Sequence, residues 1–298
     1  MILTVTLNPA IDKLYTFETV KSGSVNRAVE SENIAGGKSI NVAKTLKSLN
    51  AETLATGFIA GCFGDFIKAE LQRLHIPHKF VNAAGETRIS AAVFDKSTGE
   101  VTEFLENGFT VTKADVARFL TLYREHIQNL NKNDIVVISG STAPGCPANI
   151  YNKLIDAARE YGIRVILDSS GENLENGIKS VPFMIKPNLA ELKDLISRKN
   201  GNLPPVSGID EIKEAAVGLL KYGITYVCVS IGADGAVLAC PEGVFYEPAQ
   251  KIEIKRTVGC GDALVAAFAK YIEMGKAPVE CLKYGIETAT KHAMEKLK

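Results

Sequence analysis

Residues 257–269 have the sequence TVGCGDALVAAFA, in which two glycines flank a small residue and a carboxylate precedes an apolar run without a helix breaker. This pattern predicts a tight turn that leads directly into a buried helix at about residues 262–274. Glycine at 259 and 261 permits positive φ and a close approach to a ligand. The first turn of a helix presents unpaired N–H groups and the positive end of the dipole, so the turn is a candidate anion site. Asp262 at its mouth is either an ordinary N-cap or a catalytic base beside a phosphate.

Outside this stretch, apolar runs alternate with amphipathic segments. Strands are predicted at residues 2–7, 54–59, 135–138, 165–167, 183–185, 226–231 and 236–239, and helices at 39–49, 66–74, 114–130, 148–161, 209–222 and 278–296. Apolar strands that alternate with such helices are typical of a mostly parallel sheet with helices on both faces. The sequence therefore predicts an α/β fold with three layers in the order α/β/α.

Several β-like runs in the first third of the chain do not fit this alternation. They lie at residues 14–17, 25–29, 88–94 and 101–105, and the segment DKSTG at 95–99 between the last two is a hairpin signature. They predict a small separate β-layer, inserted from about residues 12–34 and 87–107 into a single domain that spans 1–298.

Composition excludes several classes of partner. The chain has 34 basic and 34 acidic residues, so zero net charge gives no reason to expect nucleic acid or an anionic membrane as a partner. No apolar run reaches membrane-spanning length, and the N-terminus resembles a strand rather than a signal peptide. The six cysteines are scattered without a CxxC pair, which indicates reduced thiols in a cytoplasmic protein rather than disulfides or a zinc site.

A second glycine-rich turn, Gly36-Gly37-Lys38-Ser39, precedes the helix predicted at residues 39–49. It is not a Walker A motif, because that motif requires glycine at the position of Glu32. The turn is either a plain connection or a site that holds a polyol or a phosphate through backbone N–H groups. Lys38 and Asn41 would add side-chain donors to such a site.

Polar residues follow several predicted strands, at the ends where ligands of α/β sheets bind. Ser139-Gly140-Ser141 lies in one such loop and residues 168–172 (DSSGE) in another, which we expect to be peripheral to the site. Asn188 and Glu191, after Lys186-Pro187, have the spacing of a capping pair, but could also organise water around Mg²⁺. The segment 230–236 (SIGADGA) is either a simple β-turn or a nucleotide cradle.

Together these motifs resemble those of the PfkB (ribokinase-like) family of sugar kinases, in the family's order and over nearly the whole chain. They are Asn8-Pro9-Ala10-Ile11-Asp12, Gly36-Gly37-Lys38…Asn41, Thr87-Arg88, Ser139-Gly140-Ser141, Lys186-Pro187-Asn188…Glu191, Ser230…Gly232…Gly235 and Gly259-Cys260-Gly261-Asp262. Within the family, the motifs are most similar to those of the 1-phosphofructokinases and tagatose-6-phosphate kinases. The resemblance implies a ribokinase-like fold, ATP, Mg²⁺ and a ketohexose monophosphate, and a β-sheet lid through which such enzymes often form homodimers.

The resemblance also implies a role for individual residues. Asp262 would be the catalytic base, and the backbone of Gly259, Cys260 and Gly261 would form an anion hole. The sugar would contact Asp12, Gly36, Gly37, Asn41 and Ser139, and its phosphate would contact Lys38, Arg88 and Arg27. The nucleotide would lie against Lys186, Asn188, Ser230, Gly232 and Gly235, with Glu191 in the water network around Mg²⁺.

This sequence departs from the family pattern at Ser39, Cys260 and Ala263, where the family usually has glycine, alanine or serine, and serine. Ser39 leaves the choice of sugar phosphate open between fructose 1-phosphate, which is preferred here, and tagatose 6-phosphate or fructose 6-phosphate. Two other classes of protein also stay open. A nucleotide-dependent dehydrogenase is disfavoured by the missing dinucleotide loop, and a non-catalytic sugar or nucleotide sensor has no need for a base at Asp262.

Overall fold

The structure is a computed structural model that describes residues 1–199, 208–253 and 258–295. Its strands are β1 (Ile2–Thr6), β2 (Ala10–Phe17), β3 (Glu30–Gly36), β4 (Thr53–Ala60), β5 (His78–Ala83), β6 (Arg88–Asp95), β7 (Glu100–Leu105), β8 (Ile135–Ser139), β9 (Arg164–Asp168), β10 (Met184–Ile185), β11 (Tyr226–Ser230), β12 (Ala236–Cys240) and β13 (Gly243–Glu247). Its helices are α1 (Lys38–Ser48), α2 (Gly61–Arg73), α3 (Lys113–Gln128), α4 (Ile150–Glu160), α5 (Gly171–Ile178), α6 (Leu189–Lys199), α7 (Ile209–Leu220), α8 (Cys260–Glu273) and α9 (Pro278–Met294). Thr257 of the stretch quoted first, and residue 296 of the last predicted helix, lie outside the described residues.

The larger sheet has nine strands in the order β13-β12-β11-β10-β9-β8-β1-β4-β5. The strands from β11 to β5 are all parallel to their neighbours. β12 and β13 add two antiparallel pairings at one edge. The predicted mostly parallel sheet is confirmed.

Helices cover both faces of this sheet, because successive side chains of a strand point to opposite faces. Val5 of β1 belongs to an apolar cluster with residues of α3 to α7, among them Phe119. Ile2, on the other face of the same strand, packs in a second cluster with residues of α1, α8 and α9, among them Phe268. The three-layer α/β/α arrangement is therefore confirmed.

The smaller sheet, called the lid below, has four strands in the order β3-β2-β6-β7. It confirms the separate β-layer, but the strand predicted at residues 25–29 is wrong. Those residues form a connection in which Val25 is 84% exposed, and the strand begins only at Glu30. The sequence of β3, ESENIAG, has no apolar alternation, and it is extended because it pairs with β2 over seven residue pairs.

Some elements have no clear local signal in the sequence. The helix predicted at residues 66–74 begins already at Gly61, because Glu86 accepts hydrogen bonds from the backbone N–H groups of Cys62 (3.1 Å) and Phe63 (2.8 Å). Because this cap comes from a residue that is distant in sequence, no capping residue is recognisable in the sequence at the start of the helix. The strands β5 and β13 and the short helix α5 were not predicted either.

The parallel strands bring the candidate site residues to one edge of the large sheet. The carboxyl ends of β1, β8, β9 and β10 open at this edge, and α1 and α8 begin close to it. The lid joins the same edge, because β2 follows β1 and β3 leads directly into α1. Within the described ranges, no helix has both the length and the apolar character that crossing a bilayer requires.

Candidate active site

The turn before α8 has the backbone conformation that its glycines predict. Gly259 is the N-cap residue of α8 with a left-handed φ of 87°, a conformation that side chains larger than hydrogen rarely adopt. The helix begins at Cys260, so Asp262 lies inside its first turn and the N-cap alternative for Asp262 is wrong. The helix that follows is almost completely buried, which fixes the position of its first turn relative to the sheet.

Asp262 is a buried carboxyl at the positive end of this helix. The side-chain amide of Asn41, on α1, donates a hydrogen bond of 3.0 Å to its Oδ2. Burial, and after it the negative charge of Asp168, raise the pKa of Asp262 to about 7, against the opposite effect of Lys38, Asn41 and Lys186. A carboxyl with a pKa near neutrality is suited to accept a proton at physiological pH.

Asp168, at the end of β9, lies at the centre of the charged groups of the site. It is 1% exposed, and its Oδ1 lies 3.2 Å from Nζ of Lys186 and 3.5 Å from Nζ of Lys38. Two ammonium groups thus balance one buried carboxylate, while no described residue makes a well-directed hydrogen bond to it. The expectation that residues 168–172 are peripheral does not fit this position of Asp168. The sequence did carry a signal for this position, because Asp168 directly follows three apolar residues of β9, Val165 to Leu167. A carboxylate buried at the end of such a strand needs a cation beside it.

Lys38 lies among the carboxylates rather than beside the arginines expected to bind the sugar phosphate. Its Nζ is 3.5 Å from Asp168 and 3.9 Å from Oε1 of Glu191. The charge of Asp168 is the main cause that raises the pKa of Lys38, with Glu191 and Asp262 adding to it. Lys38 therefore faces the space between Asp262 and Glu191.

Asp12 and the glycine turn before α1 form the opposite side of the site. A Cβ atom at Gly36 would collide with the carboxylate of Asp12, so a larger residue there would force the Asp12 side chain to move. Gly37 is the N-cap of α1 with a φ of 103°. Burial raises the pKa of Asp12 to about 6, although the positive charges of Lys44 and Arg88 lower it. Asn41, one turn into the same helix, connects this side to Asp262.

Arg88 lies at the start of β6, where the lid joins the large sheet. Its Nη1 donates to the backbone oxygen of Glu106 at 3.3 Å, and its Nε is buried without a hydrogen-bond partner among the described residues. Arg27, in contrast, is exposed in the connection between β2 and β3. Its assignment to the sugar phosphate stays a prediction.

Ser39 and Ser139 meet beneath the glycine turn. The hydroxyl of Ser39 donates to the backbone oxygen of Val5 at 2.6 Å and accepts from the backbone N–H of Ser139 at 2.9 Å. It therefore links β1 to β8 where both strands end. The Ser139 hydroxyl is buried without a hydrogen-bond partner among the described residues.

The candidates for nucleotide binding lie along the next loops. Asn188 and Glu191 form the reciprocal capping pair, with each side chain accepting from the other's backbone N–H at 2.8 Å. The capping alternative is thus realised through Oε2 of Glu191, and its Oε1 is the oxygen that faces Lys38. Asn188 also pairs with Ser230 through a parallel bridge, and a 3₁₀ turn at Gly232–Asp234 follows. The Lys186 ammonium lies 3.6 Å from the position of a Cβ at Gly261, which places it beside the anion-hole turn.

The described residues contain no group of three or more His, Cys, Asp or Glu side chains arranged to hold a metal ion alone. Mg²⁺ in phosphoryl-transfer sites needs less, because it binds through one or two carboxylates, water and the nucleotide phosphates. The second oxygen of Glu191, at the mouth of the site, fits that requirement.

The arrangement combines a buried carboxyl of raised pKa, a helix N-terminus and two lysines at one edge of the sheet. Such a site can remove a proton from a hydroxyl and stabilise the charge of a phosphoryl group beside it.

Comparison with known proteins agrees with this chemistry. A family model described as pfkB family carbohydrate kinase matches residues 5–294. The 1-phosphofructokinase of Bacillus subtilis is 32% identical over 290 residues, which cover 97% of this chain and 91% of that protein. A possible 1-phosphofructokinase from Thermotoga maritima has a solved structure that matches with a TM-score of 0.86 at 30% identity, covering 100% of this chain and 93% of the other. Phosphofructokinase-2 from Escherichia coli, in complex with fructose-6-phosphate, matches with a TM-score of 0.89 at 25% identity, covering 98% of this chain and 93% of the other. The resemblance that the sequence motifs indicate is confirmed.

Proposed function

The chain belongs to the pfkB family of carbohydrate kinases, and on that premise we propose that it transfers the γ-phosphoryl group of ATP to a hydroxyl of a ketohexose monophosphate. Fructose 1-phosphate is the acceptor that we infer, with fructose 1,6-bisphosphate as the product. The observation that carries the proposal is the buried carboxyl of Asp262, which combines a pKa of about 7 with a position in the first turn of α8. Burying a carboxylate destabilises the folded protein, and a protein that only binds sugars has no need for such a group.

In this proposal Asp262 takes the proton of the acceptor hydroxyl of the sugar. The oxygen of that hydroxyl forms a bond to the γ-phosphorus of ATP, and the bond between the γ-phosphorus and the ADP oxygen breaks. Backbone N–H groups in the turn from Gly259 to Asp262 stabilise the charge on the γ-phosphoryl oxygens. Lys186 and Lys38 contribute positive charge from the side of Asp168. Glu191 would hold water ligands of the Mg²⁺ that accompanies ATP, and that ion would supply positive charge to the nucleotide phosphates.

The sugar would lie between Asp12, Asn41 and Asp262. Asn41 already touches the base, so a hydroxyl bonded to Asn41 lies within reach of Asp262 as well. Arg88, whose Nε has no hydrogen-bond partner among the described residues, is the arginine that we assign to the phosphate carried by the sugar. Arginine suits this task because its planar fork of donors matches phosphate geometry.

The choice of fructose 1-phosphate is supported by the 1-phosphofructokinase of Bacillus subtilis, which is 32% identical to this chain. Tagatose 6-phosphate and fructose 6-phosphate are the alternatives, and the second is the ligand of the similar Escherichia coli structure. A coupled assay of ADP release, run with ATP, Mg²⁺ and each of the three sugar phosphates, tests the choice. We expect the highest kcat/KM with fructose 1-phosphate and background ADP release without sugar. A preference for either 6-phosphate refutes the choice of substrate, and no sugar-dependent ADP release with any of them refutes the kinase proposal.

We further infer that two copies of the chain associate through the lid. β7 is an edge strand of the lid, and Val101, Phe104 and Leu105 on it are 57%, 60% and 64% exposed. An edge strand with large exposed apolar side chains is suited to pairing with another chain and is an aggregation hazard if left uncovered.

A further inference from the structure

A histidine of α9, His292, contacts the turn that precedes α8. Nε2 of His292 lies 3.2 Å from the backbone oxygen of Val258, within hydrogen-bonding distance. A carbonyl oxygen can only accept a hydrogen bond, so this contact assigns a proton to Nε2. A Cβ atom at Gly259 would lie only 2.6 Å from the same nitrogen. The imidazole therefore occupies the space that any side chain at position 259 would need.

This contact restrains the Val258–Gly259 peptide, which directly precedes the N–H groups of the proposed anion hole. The oxygen of Val258 and the N–H of Gly259 belong to one planar peptide, so holding the oxygen limits rotation about the N–Cα bond of Gly259. Glycine has few conformational restraints of its own, and Gly259 is held at a φ of 87°. The direction of the next N–H groups, those of Cys260 and Gly261, follows from that conformation. Donors fixed before the substrate binds need no reorganisation during the reaction.

We propose that His292 is a positioning residue of the anion hole, which holds the Val258–Gly259 peptide so that the N–H groups of Cys260 and Gly261 face the phosphoryl group in transfer. The inference rests on the proposed function, because it takes these N–H groups as the phosphoryl-binding donors. A side chain at position 259 would also force the imidazole of His292 to move, an effect that is separate from the positive φ of Gly259.

A purely structural role is the competing explanation. α8 and α9 pack closely through apolar residues, for example where a Cβ at Gly285 would lie 3.1 Å from the ring of Phe268. If His292 only adds to this packing, its loss lowers the stability of the protein and leaves the kinetics of the folded fraction unchanged. The test must therefore separate the N–H donor from the volume of the ring.

His292→Phe keeps a ring and removes the donor, whereas His292→Gln keeps an N–H donor on a side chain of similar reach. For His292→Phe we expect kcat to fall about tenfold, less than the 10²–10³ that follows outright removal of an anion-hole donor. The KM values for ATP and sugar phosphate should change less than threefold, and His292→Gln should recover most of kcat. The matched control is His126→Phe on α3, a histidine remote from the turn, which should keep wild-type kinetics.

A double substitution tests the contact without relying on activity. Gly259→Ala should lower the melting temperature through both the collision with His292 and the positive φ. Adding His292→Ala relieves the collision only, so the double variant should be more stable than the sum of the two single effects predicts. Additive losses overturn the contact.

The kinetic outcomes are equally decisive. Wild-type kcat in His292→Phe, in an enzyme that is active, overturns the positioning role and leaves the proposed function standing. A loss of kcat that His292→Gln does not recover also overturns it, since the ring and not the donor would then matter. A wild-type protein that releases no ADP with any of the sugar phosphates overturns the proposed function, and this inference with it.

Discussion

Replacing Asp262 by asparagine tests two effects of the buried carboxylate separately. One is the loss of folding free energy that its burial causes, and the other is its contribution to turnover. The two side chains have nearly the same shape, and asparagine can still accept the hydrogen bond from the Asn41 amide through its own carbonyl oxygen. The substitution removes the negative charge and the ability to take a proton. We therefore expect the variant to lose turnover and to gain stability at neutral and alkaline pH.

The size of the gain follows from the pKa of Asp262, which is raised from 3.8 to about 7 in the folded protein, mainly by burial. The folded carboxyl thus keeps its proton to a higher pH than the unfolded one. Between these two pKa values the folded state binds more protons, so stability contributed by this group falls as pH rises. A shift of about three units corresponds to roughly 4 kcal/mol at pH 8 and above, and to almost nothing near pH 4.

Urea unfolding of both proteins at several pH values between 5 and 9 measures this difference. The gap in unfolding free energy should widen by about 1.4 kcal/mol per pH unit up to about pH 7 and then level off, with the variant more stable. In the coupled ADP-release assay, turnover of the variant should be about 10²–10⁴-fold lower, the usual contribution of a general base. Wild-type kcat should itself decrease as pH falls below about 7.

The exposed Asp65 on α2 provides the control, since Asp65→Asn removes a charge that is hydrated in both states and should give a small gap at every pH. A stability gap of the same size at pH 5 and pH 9 would contradict the role of burial at Asp262. Full turnover in a folded Asp262→Asn protein would contradict its assignment as the base.

Four further substitutions test other parts of the site. Arg88→Ala should lower kcat/KM for the sugar phosphate about 10- to 100-fold, the loss of one or two charge-assisted hydrogen bonds, with little change in KM for ATP; equal damage to both substrates in the kinetic assay would indicate a folding role. Asp168→Asn should move the acid limb of the pH–kcat profile to lower pH by roughly one unit, because it removes a charge that raises the pKa of Asp262, and an unmoved limb would show that the two carboxyls are not coupled. Phe104→Glu should shift sedimentation from dimer to monomer, whereas Val217→Glu, an exposed apolar residue of α7 outside the lid, should not; a monomeric wild-type protein would refute association through the lid. Ser39→Gly should lower unfolding free energy by about 1–3 kcal/mol through two lost hydrogen bonds, and a reordered sugar-phosphate preference would contradict its purely structural position.

The layers of the fold were predictable because strands buried on both faces need apolar residues at every position. β8 is buried throughout, and its limits differ from the prediction of 135–138 by one residue. β3 follows no such rule. The first residues of β3 are polar and mostly exposed. They form a strand only because they pair with the neighbouring lid strand, β2. Local pattern therefore predicts the buried strands well and the polar edge strand β3 poorly.

Within the site, the sequence predicts the residues whose local pattern carries their chemistry. The turn from Gly259 to Asp262 is such a case, since glycine spacing and a following apolar run lie in one segment. Asn41 donates to Asp262 across 221 residues of sequence, and His292 reaches Val258 across 34. Such partners are brought together only by the tertiary fold, so composition and spacing do not reveal that they meet.

The positions of Ser39 and Lys38 change which residues can choose the sugar phosphate. Ser39, where the family usually has glycine, donates its hydroxyl proton to Val5 and accepts from Ser139 below the turn. Its side chain is completely buried there, so it does not face a bound sugar. Lys38 is drawn to Asp168 and Glu191, on the side where the transferred phosphoryl group would pass. In the proposed function, recognition of the phosphate already on the sugar would then fall to the lid side, where Arg88 begins β6. Because the lid strands carry both Asp12 and Arg88, closure of the lid would bring the hydroxyl-binding and phosphate-binding groups to the sugar together.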